Sequence, residues 1–167
     1  MSTEFHQLNI ASTERLTKDA IAITFDLPDG LSEKFRYLQG QHLTLKADIN
    51  GQDIRRSYSI CNSVTEQKLT VAVKQIEAGI FSGFANQKLN QTMKLEVMPP
   101  QGHFYTKLAA ENNKNYLLIA VGSGITPCLS HLQSILDVEP NSTVTLIYGN
   151  KSTPLMMFRE KLCFIKN

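Results

Sequence analysis

The sequence has few cysteines, no long apolar run and almost no net charge. Its three cysteines, Cys61, Cys128 and Cys163, are odd in number and far apart, which indicates reduced thiols and not a disulfide framework. They show no CxxC spacing for a metal or an iron–sulfur cluster. No stretch approaches the ~18 uninterrupted apolar residues of a membrane span, and the first residues do not form a signal peptide. We therefore expect a cytoplasmic protein that does not bind a membrane.

The charge balance also excludes whole classes of partner. The chain has 17 Lys and Arg against 15 Asp and Glu, a net charge of +2 that is spread along the sequence, so nothing indicates binding to nucleic acid. Hydrophobic residues make up 42% and charged residues 19% of the 167 residues, a composition typical of a globular protein. The length fits one domain, or one and a half small ones.

The first hundred residues alternate between apolar and polar side chains, which predicts strands with one buried face. Strands are predicted at about 20–27, 42–49, 52–60, 69–74 and 93–98. Asn50-Gly51 predicts a two-residue hairpin turn between the second and third of these. One helix is predicted from Phe81 to Leu89. Residues 1–106 are therefore expected to form a small antiparallel β-barrel with one helix.

The pattern changes after a polar, Asn-rich linker at 107–115. A continuous apolar run from Tyr116 to Val121 predicts a strand covered on both faces in a parallel sheet. A glycine turn follows, then a helix with Thr126 as its cap and Pro127 in its first turn. The apolar stripe predicted for this helix consists of Leu129, Leu132, Ile135 and Leu136. A second strand at 143–148 and a helix at 154–162 follow.

Residues 116–167 are thus expected to be the N-terminal part of an α/β, Rossmann-like nucleotide-binding domain. Two parallel strands are a poor folding unit because their faces and edges stay uncovered. We expect the chain to be truncated at its C-terminal end.

Three segments contain residues suited to binding a cofactor. Arg56 and Tyr58 share a strand face, where a guanidinium fork can bind a diphosphate and an aromatic ring can contact a flat ligand. The alternative is an ordinary strand with surface arginines and a half-buried tyrosine.

The second segment, Gly79-Ile-Phe-Ser82, lies where the barrel helix begins, so its free N–H groups form an anion site. A plain turn with a serine cap is the alternative. The third, Gly122-Ser-Gly-Ile-Thr-Pro127, joins strand to helix but has only two glycines of the G-x-G-x-x-G fingerprint. It either binds a nucleotide or is a simple glycine turn.

Together these three segments resemble the ferredoxin:NADP reductase-like flavoproteins. Within that superfamily, residues 55–61, 95–104 and 146–150 most resemble the reductase subunits of phenylacetyl-CoA oxygenase (epoxidase) systems. Two departures stand out. The usual Pro-Gly-Gln is Gln39-Gly40-Gln41 here, and Lys151 stands where relatives often have arginine. The Cys-Gly-Pro segment and the cluster-binding cysteines of the family have no counterpart.

The resemblance implies an FAD-dependent oxidoreductase that takes hydride from NAD(P)H. It would pass electrons through a [2Fe-2S] domain, absent here, to an oxygenase component acting on an aromatic acyl-CoA. A stand-alone NAD(P)H:flavin reductase and a non-catalytic flavin-binding module are the alternatives.

The resemblance also implies the site residues. FAD would be bound by Arg56, Ser57, Tyr58, Ser59, Gly79, Phe81 and Ser82, with the main chain of Val73 and Lys74. NAD(P)H would be bound by Gly122, Gly124, Ile125, Thr126 and Pro127, with Asn150 and Lys151 near its ribose end. Ser59, beside flavin N5, and Thr126, facing the stacked rings, would be the catalytic pair.

Overall fold

A computed structural model describes residues 4–165. The first part contains β1 (His6–Thr17), β2 (Ala20–Phe25), β3 (His42–Ile49), β4 (Gln52–Ser59), β5 (Leu69–Lys74), α1 (Ile80–Gln87) and β6 (Lys94–Val97). The second part contains β7 (Asn115–Val121), α2 (Ile125–Val138), β8 (Thr143–Gly149) and α3 (Arg159–Ile165).

The six strands of the first part form one antiparallel sheet that curls toward a barrel. Their order is β4-β3-β6-β1-β2-β5. Ile60, directly after β4, forms a bridge with Val71 of β5 and so joins the two ends of the sheet. Side chains from all six strands and from α1 fill its core. The predicted antiparallel barrel with one helix is confirmed.

The hairpin between β3 and β4 forms as predicted. Asn50 and Gly51 both have positive φ angles, 55° and 78°, as a type I′ turn requires. The Asp48 carboxylate accepts the Gly51 N–H at 2.9 Å. The turn sets the register that places Tyr58 opposite Leu43.

The longest strand, β1, was not predicted from the apolar pattern. Among its 12 residues only Leu8, Ile10 and Thr17 are buried, so the period-two alternation is too short to recognise. Hydrogen bonding to two neighbouring strands stabilises β1 instead. Its first half pairs with β6 and its second half with β2.

In the second part β7 and β8 pair in parallel, and α2 covers one face of this small sheet. The prediction that β7 is covered on both faces is wrong. Leu117, Ile119 and Val121 are 60%, 65% and 74% exposed, and Ile147 of β8 is 54% exposed. An apolar run by itself does not reveal whether a second layer covers the sheet.

The helices of the second part differ from prediction in three details. Gly124, not Thr126, occupies the N-cap of α2, and the Thr126 hydroxyl instead donates to the Ser123 carbonyl at 3.0 Å. Leu136 is 42% exposed and lies off the apolar face. The last helix begins at Arg159, not at 154, because Pro154 lies in a short 3₁₀ turn.

Candidate functional site

A cleft of about 750 Å³ lies where the end of β4, the start of α1 and the loop before α2 meet. This volume falls in the range of small-molecule sites. The predicted residues that line it are Arg56, Ser57, Tyr58, Ser59, Lys74, Gly79, Phe81, Ser82, Gly124, Thr126 and Pro127. The fold therefore brings all three predicted segments to one cleft.

The two neighbouring arginines of β4 differ in what they bind. Arg55 donates two hydrogen bonds to the Asp53 carboxylate, at 3.2 and 2.8 Å, and lies over the Phe5 ring. Arg56 has no carboxylate partner among residues 4–165, and its one hydrogen bond goes to the Arg55 carbonyl at 2.7 Å. The remaining donors of Arg56 are thus free to bind an anion at the cleft.

Tyr58 presents an aromatic face beside Arg56. Its half-buried ring lies 5.7 Å from the Phe81 ring, centroid to centroid, with 33° between the planes. Burial raises the pKa of Tyr58 to about 12, although the Arg56 charge opposes the rise. The hydroxyl therefore stays protonated, and it makes no hydrogen bond to the described residues. It can donate to a ligand.

Ser57 and Ser59 lie on the other face of β4. Pairing with β3 runs without a bulge through Tyr58 and Ser59, so these two side chains point to opposite faces. Both still line the cleft because β4 ends there. The Ser57 hydroxyl lies 3.0 Å from that of Thr44 and can hydrogen-bond to it. The Ser59 hydroxyl makes no such bond to the described residues, so it is the serine with a hydroxyl available to a ligand.

The turn into α1 is tightly built around Gly79. A side chain at this position would place its Cβ 2.4 Å from Ser82 Oγ and 2.5 Å from Ile76 Cγ1. The Ser82 hydroxyl accepts the Ile76 N–H and donates to the Gly79 carbonyl, both at 3.2 Å. Ser82 therefore shapes the turn, and the first amides of α1 remain as donors toward the cleft.

The loop before α2 approaches from the opposite side. Gly122 has a φ of 53°, and its carbonyl accepts the Tyr148 hydroxyl at 3.0 Å. A Cβ on Gly124 would meet no atom within 4 Å, so a ligand can approach the backbone there. Thr126 is 6% exposed and borders the cleft.

Several predicted residues lie outside the cleft. Val73 and Ile125 are fully buried, and the Val73 carbonyl accepts the Asn86 amide at 3.1 Å. Neither residue lines the cleft, and the Val73 main chain, predicted to line the flavin, uses its carbonyl in this bond to Asn86. Gly122 does not line the cleft, and it acts on the loop through its positive φ angle and its bond to Tyr148. Lys151, at the end of β8, is exposed.

Asn150 has an unsatisfied polar group. Its Nδ2 is buried and has no hydrogen-bond acceptor within residues 4–165. Burial raises the pKa of the neighbouring Tyr148 hydroxyl, which donates to the Gly122 carbonyl. A buried donor without an acceptor is costly unless a ligand or water supplies one.

Sequence reasoning missed the segment between β5 and α1. Besides Gly79, four of its residues line the cleft: Gln75, Ile76, Glu77 and Ala78. Ala72 of β5, Ile80 of α1 and Ser123 of the glycine loop also line it. Only its position in the sequence could have indicated that this segment lines the cleft, because it joins Lys74 to the Gly79–Ser82 turn, both predicted to contact the ligand. Ile76 and Ile80 are 65% and 47% exposed, so they form an apolar rim that only the folded structure reveals.

Other kinds of site find no support in the described part of the chain. No group of three or more His, Cys, Asp or Glu side chains between residues 4 and 165 could hold a metal ion. None of the helices there has the length and apolar character needed to cross a membrane. The cleft instead combines a free guanidinium, a ring, helix amides and a glycine loop, which suits a dinucleotide with a planar ring system.

Comparisons with protein families agree with this chemistry. Residues 7–105 match the family described as oxidoreductase FAD-binding domain, and residues 118–166 match the oxidoreductase NAD-binding domain. The family matches thus identify an FAD-binding domain followed by the start of an NAD-binding domain.

Two curated relatives cover nearly the whole chain. It is 50% identical over 165 residues to a subunit of the 1,2-phenylacetyl-CoA epoxidase of Escherichia coli K12, covering 99% of this chain and 46% of that protein. It is 35% identical over 158 residues to the ferredoxin reductase component of 3-ketosteroid-9-alpha-monooxygenase of Rhodococcus rhodochrous, covering 93% and 44%. The chain spans about half the length of these relatives.

Solved structures show the same fold. Phthalate dioxygenase reductase superposes with a TM-score of 0.80 at 28% identity, covering 95% of this chain and 47% of that one. A ferredoxin NADP⁺ reductase from Neisseria gonorrhoeae, solved with FAD and NADP, gives 0.80 at 22% identity, covering 98% and 64%. The latter likeness concerns the fold alone.

Proposed function

Because the chain belongs to the oxidoreductase family with an FAD-binding domain, we propose that its cleft binds FAD between β4, α1 and the loop before α2. One observation carries the proposal: three segments far apart in sequence line a single cleft. Each offers a different part of what a flavin dinucleotide requires.

The diphosphate has two groups of donors in this proposal. Arg56 supplies free guanidinium donors, and the amides at the start of α1 supply the other set. Gly79 lets the turn before these amides pack tightly, because a side chain there would meet Ser82 and Ile76. Ser82 fixes the turn by its two hydrogen bonds. Nearby, Lys74 lies 3.7 Å from Asp19, so its charge is partly balanced by the protein.

The ring system has an aromatic wall and a hydroxyl. The half-buried Tyr58 ring and its unpaired hydroxyl suit the flavin and ribityl region. Ser59, at the end of β4, is the proposed hydrogen-bonding partner of the flavin edge. Ile76 and Ile80 add apolar surface at the rim, which helps to exclude water.

The nicotinamide nucleotide is proposed to bind from the α2 side. The open backbone at Gly124 and the Thr126 and Pro127 side chains face the same cleft. Asn150, with its unsatisfied Nδ2, and the exposed Lys151 are proposed for its ribose end. Thr126 and Ser59 would then border the two reacting rings from opposite sides.

We further propose that the whole protein is the reductase component of a multicomponent oxygenase that acts on phenylacetyl-CoA. The 50% identity to an epoxidase subunit and the reductase names of other relatives support this assignment. Bound FAD would accept hydride and release electrons singly, with a [2Fe-2S] domain outside this chain as the next carrier. The free cysteines of the described residues fit a cytoplasmic location.

Anaerobic reduction of the whole FAD-loaded protein, not of residues 1–167 alone, by NADH and by NADPH tests the oxidoreductase assignment. We expect one or both to bleach the flavin absorbance. In a second experiment, in the presence of O2, we expect an oxygenase component with phenylacetyl-CoA to accelerate nucleotide consumption, since O2 is then the final electron acceptor. Flavin bleaching without any acceleration of nucleotide consumption by an oxygenase component would indicate a stand-alone flavin reductase. Retained FAD that neither nucleotide bleaches would indicate a non-catalytic flavin-binding module and contradict the proposal.

A further inference from the structure

One face of α2 is polar where the helix packs against the barrel. Thr126, Ser130, Gln133, Ser134 and Asp137 recur at helical spacing and fall within about 100° of arc at 100° per residue. Ser130, Gln133 and Ser134 are 0%, 8% and 0% exposed. Ser130, Gln133, Ser134 and Asp137 are here called the polar stripe, and Thr126 lies at its cleft end.

The first two members of the stripe hydrogen-bond to the barrel main chain. Ser130 Oγ donates to the Asn62 carbonyl at 2.7 Å, and Gln133 Nε2 donates to the Cys61 carbonyl at 2.9 Å. Both acceptors belong to the 61–65 loop, which follows β4.

The last two members accept hydrogen bonds from the same loop. Ser134 Oγ accepts the Val64 N–H at 3.0 Å. The Asp137 carboxylate accepts the Thr65 hydroxyl at 2.6 Å and also that of Ser63. Each residue from 61 to 65 therefore makes one hydrogen bond to the stripe.

This loop begins two residues after Ser59, at the end of the strand that carries Arg56 and Tyr58. It is also held firmly on the barrel side. The Cys61 N–H donates to the Thr70 carbonyl at 2.9 Å, and the Tyr37 hydroxyl donates to the Ser63 carbonyl at 2.7 Å. The stripe thus connects α2 to an extension of the proposed flavin strand that is itself hydrogen-bonded to the barrel.

Hydrogen bonds restrict the position of a packed helix more than apolar burial does, because they depend on direction. An apolar helix face can rotate or slide on its neighbour with little loss of contact, whereas buried polar groups need their partners in place. Five hydrogen bonds along one face therefore fix both the rotation and the axial position of α2. Thr126, on the same face and one turn before Ser130, is fixed with it.

We infer that the polar stripe positions Thr126 and the glycine loop against the flavin strand, so that Ser134 and Asp137 are positioning residues for transfer between the nicotinamide and the flavin. The inference rests on the proposed function of the cleft. Neither residue lines the cleft, so their effect must pass through α2.

Substitution of Asp137, which is exposed, tests the inference with little risk of unfolding. In the whole FAD-loaded protein we expect Asp137→Ala to leave FAD affinity within about twofold and to lower the limiting rate of flavin reduction about tenfold or more, since small misplacements of reacting groups are costly. Asp137→Asn keeps an acceptor oxygen and should recover most of that rate. Leu136→Ala, on the same helix but off the stripe, is the matched control.

Ser134→Ala adds a readout that does not depend on turnover. We expect hydrogen exchange at the Val64 amide to accelerate and the limiting reduction rate to fall, with KM for the nucleotide changed less than about threefold. The inference would be overturned, and the proposed function left intact, if Asp137→Ala and Ser134→Ala both showed wild-type reduction rates while Val64 exchange was accelerated. Equal losses in the Leu136→Ala control would also overturn it. A wild-type protein that neither binds FAD nor is reduced would refute the proposed function as well.

Discussion

The ring of Tyr58, near the end of β4, packs against the ring of Phe81, in the first turn of α1, with 5.7 Å between their centroids. Phe81 is 1% exposed, so the barrel core fixes the position of this contact. The strand and helix segments of the cleft are therefore held together before any ligand binds.

Substitutions of Tyr58 should separate its ring from its hydroxyl. Because the hydroxyl has no partner among the described residues, Tyr58→Phe should change the free energy of unfolding by less than about 0.5 kcal/mol. Tyr58→Ala removes the ring from Phe81 and should cost about 2 kcal/mol. Urea denaturation without FAD measures both. Equal destabilisation by the two variants would show that the hydroxyl, not the ring, holds the segments together.

Gly40 should tolerate no side chain. Its φ is 85°, and a Cβ there would lie 1.9 Å from the Phe104 carbonyl oxygen and 2.6 Å from His131 Nε2. Gly40→Ala should therefore destabilise the protein by more than about 2 kcal/mol. Gly30 is the control, because a Cβ there would meet no atom within 4 Å, and Gly30→Ala should be nearly neutral. A stable Gly40→Ala protein with an unchanged melting temperature would contradict this.

His131 should make stability depend on pH near neutrality. Burial lowers the pKa of His131, although the bond to the Phe104 carbonyl opposes the shift. Since the unfolded chain binds the proton more readily, this contribution is complete above about pH 6.5 and is lost as pH falls from there toward the folded pKa. Urea midpoints measured across that range should fall less steeply in His131→Gln than in the wild type. Identical slopes would show that His131 does not carry the effect.

Glu139 should hold the 107–114 segment to the second part of the chain. Burial alone would raise its pKa, but donors from Asn112, Ser142, Tyr116 and the Ala109 amide outweigh burial and lower it. Glu139→Gln replaces one acceptor oxygen by a donor and should cost about 2 kcal/mol at neutral pH.

The stabilisation by Glu139 should depend on pH. The stabilisation should be present above about pH 4.5, the usual carboxyl range, and be lost as pH falls through the lowered pKa of the folded state. Glu111→Gln, an exposed glutamate of the same segment, should have no effect. If both variants unfold at the same urea concentration as the wild type, the role given to Glu139 is wrong.

Local patterns predicted much of this fold because many of its elements have one buried face. The bounds predicted for β3 and β5 match the structure, and Asn50-Gly51 predicted its turn. In contrast, β1 has too few buried side chains to show a pattern. The apolar run of β7 does not reveal that only one of its faces is covered.

The cleft was predictable only in part. Its three segments each resemble a known ligand-binding pattern, so they could be recognised locally. The pairing of Arg55 with Asp53, which distinguishes it from Arg56, requires the folded strand. The polar stripe of α2 could not be found at all, since its partners lie about 70 residues away along the chain.

Titration of FAD into the apoprotein tests the central claim most directly. We expect the wild-type chain to quench FAD fluorescence saturably, and Arg56→Ala to weaken binding about tenfold or more through loss of charge-assisted hydrogen bonds. Arg55→Ala, which removes the neighbouring arginine paired with Asp53, should bind within about threefold of the wild type. Absence of saturable quenching in the wild type, or an equal loss in both variants, would contradict the assignment of this cleft as the FAD site.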